Sequence, residues 1–467
     1  MSLTKVTNSM IQSAPANICD FGAVGDNITD DTNAIKAAIA SVSSGGSVFV
    51  PRGVYVITDT IRIPSRVHFY GEGEISQLKW GGSTPAVGSK LPMIAVSHPT
   101  DPTNNAVANA VVSDIHLDCL DTANLVGIEF VYASFQSQGR NIRVSDVGEN
   151  GAGFRFCREW YASFDTLSVR CSTKNSGSIG FWFDTAQLAV GEINGVPFCN
   201  LQTNKCSIGI LIDTTSYLYA CTIDQATIEQ GDVGIRHIGK KGVRQLEFTG
   251  VYLESNTVDV DWQKDAGATD TSGIVLWNNI QCQFGNSVWT IAEGNHQLTG
   301  IEYITTLTNT GAQVRGDSVN VTGSTSTSGT GRTLILARPT YLPQGTTYGS
   351  VFAKPQATKT VRNVVQAATT TITVPLPTDL VSASFPTYGR EIKLSVFCRK
   401  WSNTQNRYWE GYLVQRDNQT WGLFRNSYSS AIDATWDVTV DAATGELTIF
   451  YSDTAEGKII TTQFSPM

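Results

Sequence analysis

The sequence predicts an all-β fold that is built as a solenoid of short, stacked strands. The main indication is a glycine-led strand pattern, with apolar, variable and apolar residues after the glycine, which returns after 26, 27, 29 and 25 residues. The repeats begin at Gly127, Gly153, Gly180, Gly209 and Gly234. One strand pattern per repeat of this length is typical of a solenoid and not of a globular sandwich. A composition of 42 glycines, 41% hydrophobic and 16% charged residues suits the many tight turns of such a fold.

The N-terminal segment predicts a leader, a capping helix and a first strand. Residues 1–17 are expected to form a flexible leader. The Asp-Asp-Thr sequence at 30–32 can cap a helix that runs to about Val42, because apolar residues then recur on one helix face. At the head of a solenoid, such an amphipathic helix covers the apolar end of the first coil. Gly45-Gly46 then breaks the chain before a strand at 47–50.

The solenoid is expected to span residues 18–320. Residues 321–332 are rich in Gly, Ser and Thr and predict a linker. Beyond it, strands with alternating apolar residues predict a compact, β-sandwich-like C-terminal domain over 333–467, which serves trimerisation or carbohydrate binding. Within this domain, residues 436–451 have the alternation and central turn of a β-hairpin.

Composition and charge exclude several classes of protein. The formal net charge is −8 and the sequence has no basic stripe, which argues against a nucleic-acid partner. The nine cysteines include no CxxC pair, so a zinc site is not expected, and no motif indicates another metal or a cofactor. We interpret the cysteines as reduced, which predicts synthesis in a cytoplasm. Neither a signal peptide nor a run of about 18 apolar residues is found, so membrane insertion is not expected.

Motifs near the N-terminus resemble a known group of β-helix proteins. They are Asp20-Phe21-Gly22-Ala23-Val24-Gly25-Asp26, Thr29-Asp30-Asp31-Thr32, Gly45-Gly46 and Val50-Pro51-Arg52-Gly53-Val54-Tyr55. This series is similar to the opening of pectate-lyase-like right-handed parallel β-helix proteins, among them phage tailspikes and depolymerases of capsule or O-antigen, and the resemblance covers about residues 17–310. It implies a right-handed β-helix, a bacterial surface polysaccharide as partner and a homotrimer in a phage tail, attached to the baseplate or another tail protein through its N-terminus. Lyases, hydrolases and epimerases share the opening, so it implies no mechanism.

A pair of carboxylates is the main candidate for catalysis. Coils of a parallel solenoid lie about 4.8 Å apart, so residues one repeat apart become surface neighbours. The strictest register places Asn204, Glu229 and Glu254 at one equivalent position, five residues before Gly209, Gly234 and Asp259. Two stacked carboxylates can divide the roles of acid and base or nucleophile in glycoside hydrolysis. Alternatively, both are solvated turn residues. The segment 252–256 also looks like one that recurs in phage depolymerases.

A second column predicts substrate-binding residues. The variable position after each repeat glycine is expected to point outward, and it holds Glu129, Arg155, Trp182, Leu211, Arg236 and Asp261. Of these, Arg155, Trp182 and Arg236 suit an extended glycan, because indoles stack on sugar rings and guanidinium groups bind hydroxyls and carboxylates. Trp160 and Tyr161 add aromatic surface near the following corner, and Asn204 adds an amide. The alternative is that this face is buried against another subunit.

Three functions remain open from the sequence. The favoured one is a tailspike-like depolymerase that cleaves bacterial capsule or O-antigen by glycosidic hydrolysis. The second is a lyase that eliminates across a uronate, since several cations could neutralise its carboxylate: Arg170, Lys205, Lys240, Lys241 and Arg244. The third is a non-catalytic adhesin that binds the glycan without cutting it.

Overall fold

The structure contains two compact units, which are described separately below. The computed structural model describes residues 14–466 except 103, 185–191, 214–216, 240–241, 266, 268–271, 284–285, 311, 328–333, 338–358, 366–368, 375–390, 401–405, 416–420, 429–435, 441–446 and 453–457. The first unit ends at Gln313 and the second begins at Val314. The predicted leader lies mostly outside the described residues, but Ala16–Asn17 already form a strand of the first unit.

The predicted capping helix is confirmed as Thr32–Ser41. Its first turn is held by the side chain of Asp30, which accepts hydrogen bonds from the Thr32 backbone N–H at 3.0 Å and from the Thr32 hydroxyl. Asp31 is buried and instead accepts from the N–H groups of Val24 and Gly25 at 2.7 and 3.2 Å. The helix packs on the short 3₁₀ turn Ile18–Phe21 and on strands of the first coil. It therefore covers the apolar end of the solenoid, as expected.

The first unit is a right-handed parallel β-helix with three faces. The first face contains the strands Ala16–Asn17, Gly46–Phe49, Val67–Tyr70, Gln245–Thr249 and Ile274–Asn278. The second contains Asp26–Asp30, Gly53–Ile57, Ser76–Trp80, Tyr252–Glu254 and Gln281–Cys282. The third contains Ile61–Ile63, Leu91–Val96, Leu125–Phe130, Ala152–Phe156, Ile179–Asp184, Ile208–Asp213, Val233–His237, Val258–Trp262 and Ser287–Ile291. Asn295–Asn309 continues the ladder past these strands.

Five long strands run across the first and second faces and bend between them. They are Val111–Asp118, Gln138–Ser145, Ser163–Arg170, Pro197–Asn204 and Cys221–Glu229. Each bend is a single residue with positive φ, at Asp114, Asn141, Thr166, Asn200 and Gln225. Asn and Asp tolerate this left-handed conformation best. Because the bends fall at equivalent positions, the register stays constant from coil to coil on both faces.

Remaining short elements lie at the corners of the coils. A 3₁₀ turn spans Gly73–Ile75 before the second face. Between the third and first faces, two-residue strands pair as Val107–Ala108 with Ala133–Ser134 and as Ile193–Asn194 with Leu218–Tyr219. Trp160 bridges from Ser134 to Asn194 and so continues this corner from one pair to the next.

The core consists of stacked aromatic and aliphatic side chains. Phe130 lies over Phe156 with ring centroids 5.7 Å apart, and Phe164 lies over Phe198 at 5.1 Å. Residues one coil apart thus continue each other's stack, which is the packing that the repeat predicts. The eight cysteines of the first unit are free. No helix of the described residues is long and apolar enough to cross a membrane.

The second unit contains antiparallel sheets, as predicted for the C-terminal region. One has the strands Lys359–Val365, Lys458–Pro466, Glu391–Lys400, Asn406–Gln415 and Trp421–Tyr428, and the other has Thr369–Val374, Leu447–Ser452 and Trp436–Val440. The predicted hairpin is confirmed in its strand pairing, with Trp436 opposite Tyr451. Gln313–Thr327 is a strand that pairs in parallel with Leu334–Ala337 and extends into the predicted linker. Residues 328–333 lie outside the described residues.

Candidate active site

The carboxylate column has the predicted register. Asn204 pairs with Glu229, and Glu229 pairs with Glu254, on successive strands of the second face. Both glutamates are partly exposed, and each is the last residue of its strand. The residues that precede them, Ile228 and Leu253, point inward and are buried in the core. The two carboxylates therefore lie on the outer surface. The backbones that carry them are about 4.8 Å apart along the solenoid axis.

Neighbouring polar groups distinguish the two carboxylates. The side-chain amide of Asn204 donates to Oε2 of Glu229 at 3.1 Å. Tyr252 lies two residues before Glu254 on the same face, close to both carboxylates. Desolvation, a hydrogen bond to Glu254 and the negative charges of Glu254 and Glu229 raise the pKa of the Tyr252 phenol. Glu229 is thus held as a hydrogen-bond acceptor from an amide, while Glu254 has a phenol beside it.

The same column continues toward the N-terminus with positively charged residues. Arg170 pairs with Asn204, so it lies two coils from Glu229. In the adjacent column of the second face, Arg143 pairs with Ser168, which pairs with Gln202. These residues line a surface cavity together with the 3₁₀ turn: Glu74, Arg143, Ser168, Arg170, Asn200 and Gln202. The second face therefore presents an extended polar surface in which cations precede the carboxylate pair.

The predicted outward column keeps its register but is largely buried, so the prediction that it faces solvent is wrong for most of its members. The residues Glu129, Arg155, Trp182 and Leu211 are 7%, 2%, 8% and 6% exposed. Arg155 forms ion pairs at 2.6 Å with Glu129 and at 2.5 Å with Asp184. The Arg155 guanidinium also lies 4.9 Å from the centre of the Trp182 ring.

The side chain of Lys90 covers part of this column. The Lys90 ammonium group lies 4.9 Å from the Trp182 ring and donates to the backbone oxygen of Asn150 at 2.9 Å. Lys90 comes just before the strand Leu91–Val96, so the chain that enters this coil covers the third face further along. Arg155 and Trp182 are consequently not placed where a polymer can reach them. Arg236 keeps 32% of its side chain exposed and pairs with Asp261 at 3.0 Å.

Trp160 and Tyr161 lie at a different edge of the solenoid from the carboxylates. They occupy the corner between the third and first faces, whereas the glutamates end the second face. Trp160 packs edge-on against Tyr132 with centroids 5.3 Å apart, and the Arg158 guanidinium lies 3.9 Å from the Tyr132 ring. Tyr161 is 67% exposed and lies 6.2 Å from the ring of Phe135, which is 54% exposed. This aromatic corner offers flat apolar surface of the kind on which sugar rings stack.

The repeat did not reveal that Arg143 and Glu74 belong to the site, nor that Arg170 shares the column of the glutamates. The turn between the second and third faces varies in length: Ser145 lies eight residues before its repeat glycine and Arg170 ten, against five for Asn204 and Glu229. Aligning coils on their glycines therefore misplaces the earlier members of this column. Of the other cations predicted from sequence, Lys240 and Lys241 lie outside the described residues. Arg244 stacks on Tyr217 at 4.6 Å, away from the second face.

Comparisons with known proteins agree with the fold. Residues 16–236 match the family model described as rhamnogalacturonase A/epimerase, pectate lyase-like. The tail spike protein of Shigella phage Sf6 is 27% identical over 305 residues, which cover 62% of this chain and 45% of that protein. A probable glucan endo-1,3-beta-glucosidase of Arthroderma benhamiae is 32% identical over 92 residues, which cover 20% of this chain and 10% of that protein. The chain spans less than half of the length of these relatives.

Similar solved structures include tailspike proteins. The crystal structure of the Dettilon tailspike protein covers 100% of this chain and 97% of its own, at 11% identity and a TM-score of 0.49. That of the Acinetobacter phage vB_ApiP_P1 tailspike covers 97% of this chain and 88% of its own, at 12% identity and a TM-score of 0.44. Within the first unit, residues 16–236 are similar to the pectate-lyase-like family whose model they match. The similarity to the tail spike protein of Shigella phage Sf6 extends over 62% of the chain.

Proposed function

We propose that this protein is a phage tailspike that depolymerises a bacterial surface polysaccharide by glycosidic hydrolysis at Glu229 and Glu254. The observation that carries the proposal is the direct pairing of these two residues on neighbouring strands of the second face, where both are partly exposed. Retaining glycosidases hold their two carboxyl groups about 5–5.5 Å apart, and inverting ones about 6.5–9.5 Å. A separation of one coil favours the retaining arrangement.

The two glutamates take different roles in this proposal. Glu229 accepts the Asn204 amide hydrogen bond and serves as the nucleophile. Glu254 lies beside the Tyr252 phenol and donates its proton to the leaving oxygen. After the sugar is transferred to Glu229, Glu254 takes a proton from the water that releases it. The relatives named above support a glycan as substrate, since one is a tail spike and another a glucosidase.

The test is turnover by Glu229→Gln and Glu254→Gln on a polysaccharide that the wild-type protein shortens. Each variant keeps the shape of the side chain but loses the ionisable group. We expect the rate to fall at least about 10²–10⁴-fold in both, with binding retained. Glu247→Gln is the matched control, because Glu247 is a partly exposed glutamate on the first face. Near-normal turnover in both site variants would show that the pair is not catalytic.

The products separate hydrolysis from its alternatives. Hydrolysis gives a new reducing end without a double bond, and the anomeric configuration of the first product reports retention or inversion. An unsaturated uronate that absorbs ultraviolet light would identify a lyase instead. Unchanged polymer length after long incubation, with tight binding, would identify an adhesin. A panel of purified capsule and O-antigen polysaccharides supplies the substrates for all three outcomes.

The assembly belongs to the same proposal. We expect a homotrimer in a phage tail, attached through its N-terminal region to another tail protein. Light scattering at micromolar concentration should then give about three chain masses. A monomer under these conditions would contradict the assembly but leave the hydrolysis untouched, because both glutamates come from one chain.

A further inference from the structure

The second face carries a separate cationic cavity in line with the carboxylate pair. The cavity has a volume of ≈ 180 Å³. Its polar lining includes Glu74, Arg143, Ser168, Arg170, Asn200 and Gln202. Arg143 and Glu74 form an ion pair at 2.5 Å and neutralise each other. Arg170 donates to the neutral amide oxygen of Gln202 at 3.3 Å. Among the charged side chains that line the cavity, Arg170 therefore leaves one positive charge in excess, on the surface of a protein with a net charge of −8.

The charged groups of the cavity lie near one another. The pKa of Glu74 is lowered, chiefly by the hydrogen bond and charge of Arg143, with smaller contributions from His116 and Arg170. His116 stays neutral more easily than a free histidine, because burial and the charge of Arg143 lower its pKa. The positive charge that is available to a ligand is thus that of Arg170, which is exposed at the end of its strand.

The position of Arg170 in the column determines its distance from the two glutamates. Arg170, Asn204, Glu229 and Glu254 occupy successive strands in register. With about 4.8 Å between strands, the Arg170 backbone lies about 10 Å from that of Glu229 and about 14 Å from that of Glu254. This separation is two coils of the solenoid for the nearer glutamate. It is a suitable distance for a group on another sugar of the same chain.

We propose that the Arg170 cavity binds an anionic substituent of the polysaccharide, and that the substrate is therefore an acidic glycan. The planar guanidinium binds carboxylates and phosphate-like groups through paired hydrogen bonds, and the Ser168 hydroxyl adds a polar partner in the cavity. The polymer then lies along the solenoid axis, with its acidic sugar toward the N-terminal coils and the bond to be cleaved at the glutamates. This inference rests on the proposed function and identifies its substrate class.

The first test compares Arg170→Gln with Arg140→Gln on the polysaccharide that the protein cleaves. Arg140 is an exposed arginine on the first face and serves as the matched control. Loss of a hydrogen bond to a charged group should raise KM of Arg170→Gln about 10- to 100-fold with kcat nearly unchanged, while Arg140→Gln behaves as wild type. An unchanged KM for Arg170→Gln, or an equal rise in both variants, would overturn the proposal.

The second test changes the polymer. Carboxyl groups are reduced to alcohols in one sample, and sulfate, phosphate and pyruvate ketal groups are removed in others. Wild-type protein should lose affinity for each sample that lacks the recognised anion, and Arg170→Gln should lose nothing further on it. Loss in both the carboxyl-reduced and the ketal-free samples identifies a pyruvate ketal. Equal wild-type affinity for every treated sample would contradict the proposal. These arms also identify which anion the cavity takes.

Binding measurements keep this result separate from catalysis. Dissociation constants are measured with Glu254→Gln as the parent, so that the polymer stays intact. If Glu254→Gln still cleaves the polymer, the catalytic assignment fails, but the Arg170→Gln comparison remains valid as a loss of affinity. If every polysaccharide that the protein binds is neutral, the anion site is refuted whatever the glutamates do.

Discussion

The repeat glycines give the sharpest test of how this sequence determines its fold. An added Cβ at Gly180 would lie 2.4 Å from Cγ2 of Thr203 and 2.5 Å from the backbone oxygen of Gly209. Ordinary contacts begin at 3.4 Å, so the coils would have to separate locally by almost an ångström. The oxygen is fixed by the backbone, and the β-branched Thr203 is 2% exposed and has little rotamer freedom. We therefore expect Gly180→Ala to be strongly destabilising for so small a change.

The magnitude follows from two opposing effects. Overpacking a close-packed core costs about 1–3 kcal/mol, and a backbone obstacle places Gly180→Ala near the upper end. Replacing glycine also reduces the entropy of the unfolded chain, which returns about 0.4–1 kcal/mol. The net loss should be about 2 kcal/mol. At about 2.1 cal/mol/K per residue, the unfolding entropy of a unit of about 300 residues is about 0.6 kcal/mol/K, so we expect the thermal midpoint to fall by roughly 3 °C.

The assay is thermal unfolding followed by circular dichroism, with Gly267→Ala as the control. Gly267 is exposed, and a Cβ there would meet the side-chain oxygen of Asp265 at 3.2 Å, which can rotate away. Gly209→Ala should behave like Gly180→Ala, since its Cβ would lie 2.3 Å from Ile228 and 2.7 Å from the Gly234 oxygen. Midpoints of Gly180→Ala and Gly267→Ala that agree within a degree would refute this account of the repeat.

Three further predictions concern buried charge and the aromatic corner. Burial raises the pKa of Glu159 well above its usual value, so the folded state keeps a proton that the unfolded state releases above about pH 4.3. The free energy of unfolding should thus fall as pH rises from about 4.3. Thermal midpoints measured at pH 4–8 should show this fall in the wild-type protein and not in Glu159→Gln. The same dependence of the midpoint on pH in both proteins would contradict the prediction. Arg155→Met leaves Glu129 and Asp184 buried without their cation. Denaturant unfolding should therefore show a free energy of unfolding that is about 3–5 kcal/mol lower. A decrease below about 1 kcal/mol would show that the network contributes little to stability. Tyr161→Ala should weaken polymer binding with kcat unchanged if the corner binds sugar, and equal binding by both proteins would exclude that role.

Those parts of the fold that repeat could be predicted from the sequence. The glycine pattern located the third face because the first four of these glycines, Gly127 to Gly209, are required by the close approach of the second face and the next coil. The pairing of Glu229 with Glu254 could be predicted because two successive coils have the same length. A repeat of constant length converts directly into surface neighbours. The helix Thr32–Ser41 was predictable from local signals alone.

Those parts that depend on segments outside the repeat could not be predicted. Alternation indicated that Arg155 and Trp182 point away from the core, which the register confirms, but not that another part of the chain covers them. Lys90 contacts Trp182 across 92 positions of sequence, and no periodicity relates the two. Pointing out of a solenoid is therefore weaker evidence for exposure than pointing out of an isolated sheet. The buried Glu129–Arg155–Asp184 network also shows why charge in a column is ambiguous, since ion pairs can satisfy it internally.

The distribution of charge along the second face favours one direction for the bound polymer. Its outer columns pass from Arg143 and Arg170 through the neutral Asn204 to Glu229 and Glu254. A glycan that ran perpendicular to the solenoid axis would contact either the cations or the carboxylates. Substitutions at the arginines and at the glutamates would then affect different bound chains. A glycan along the axis meets both in one bound chain. In that case Arg170→Gln, by weakening one end of the bound chain, should shift the sizes of the first oligosaccharides released, and an unchanged product ladder would favour the perpendicular path.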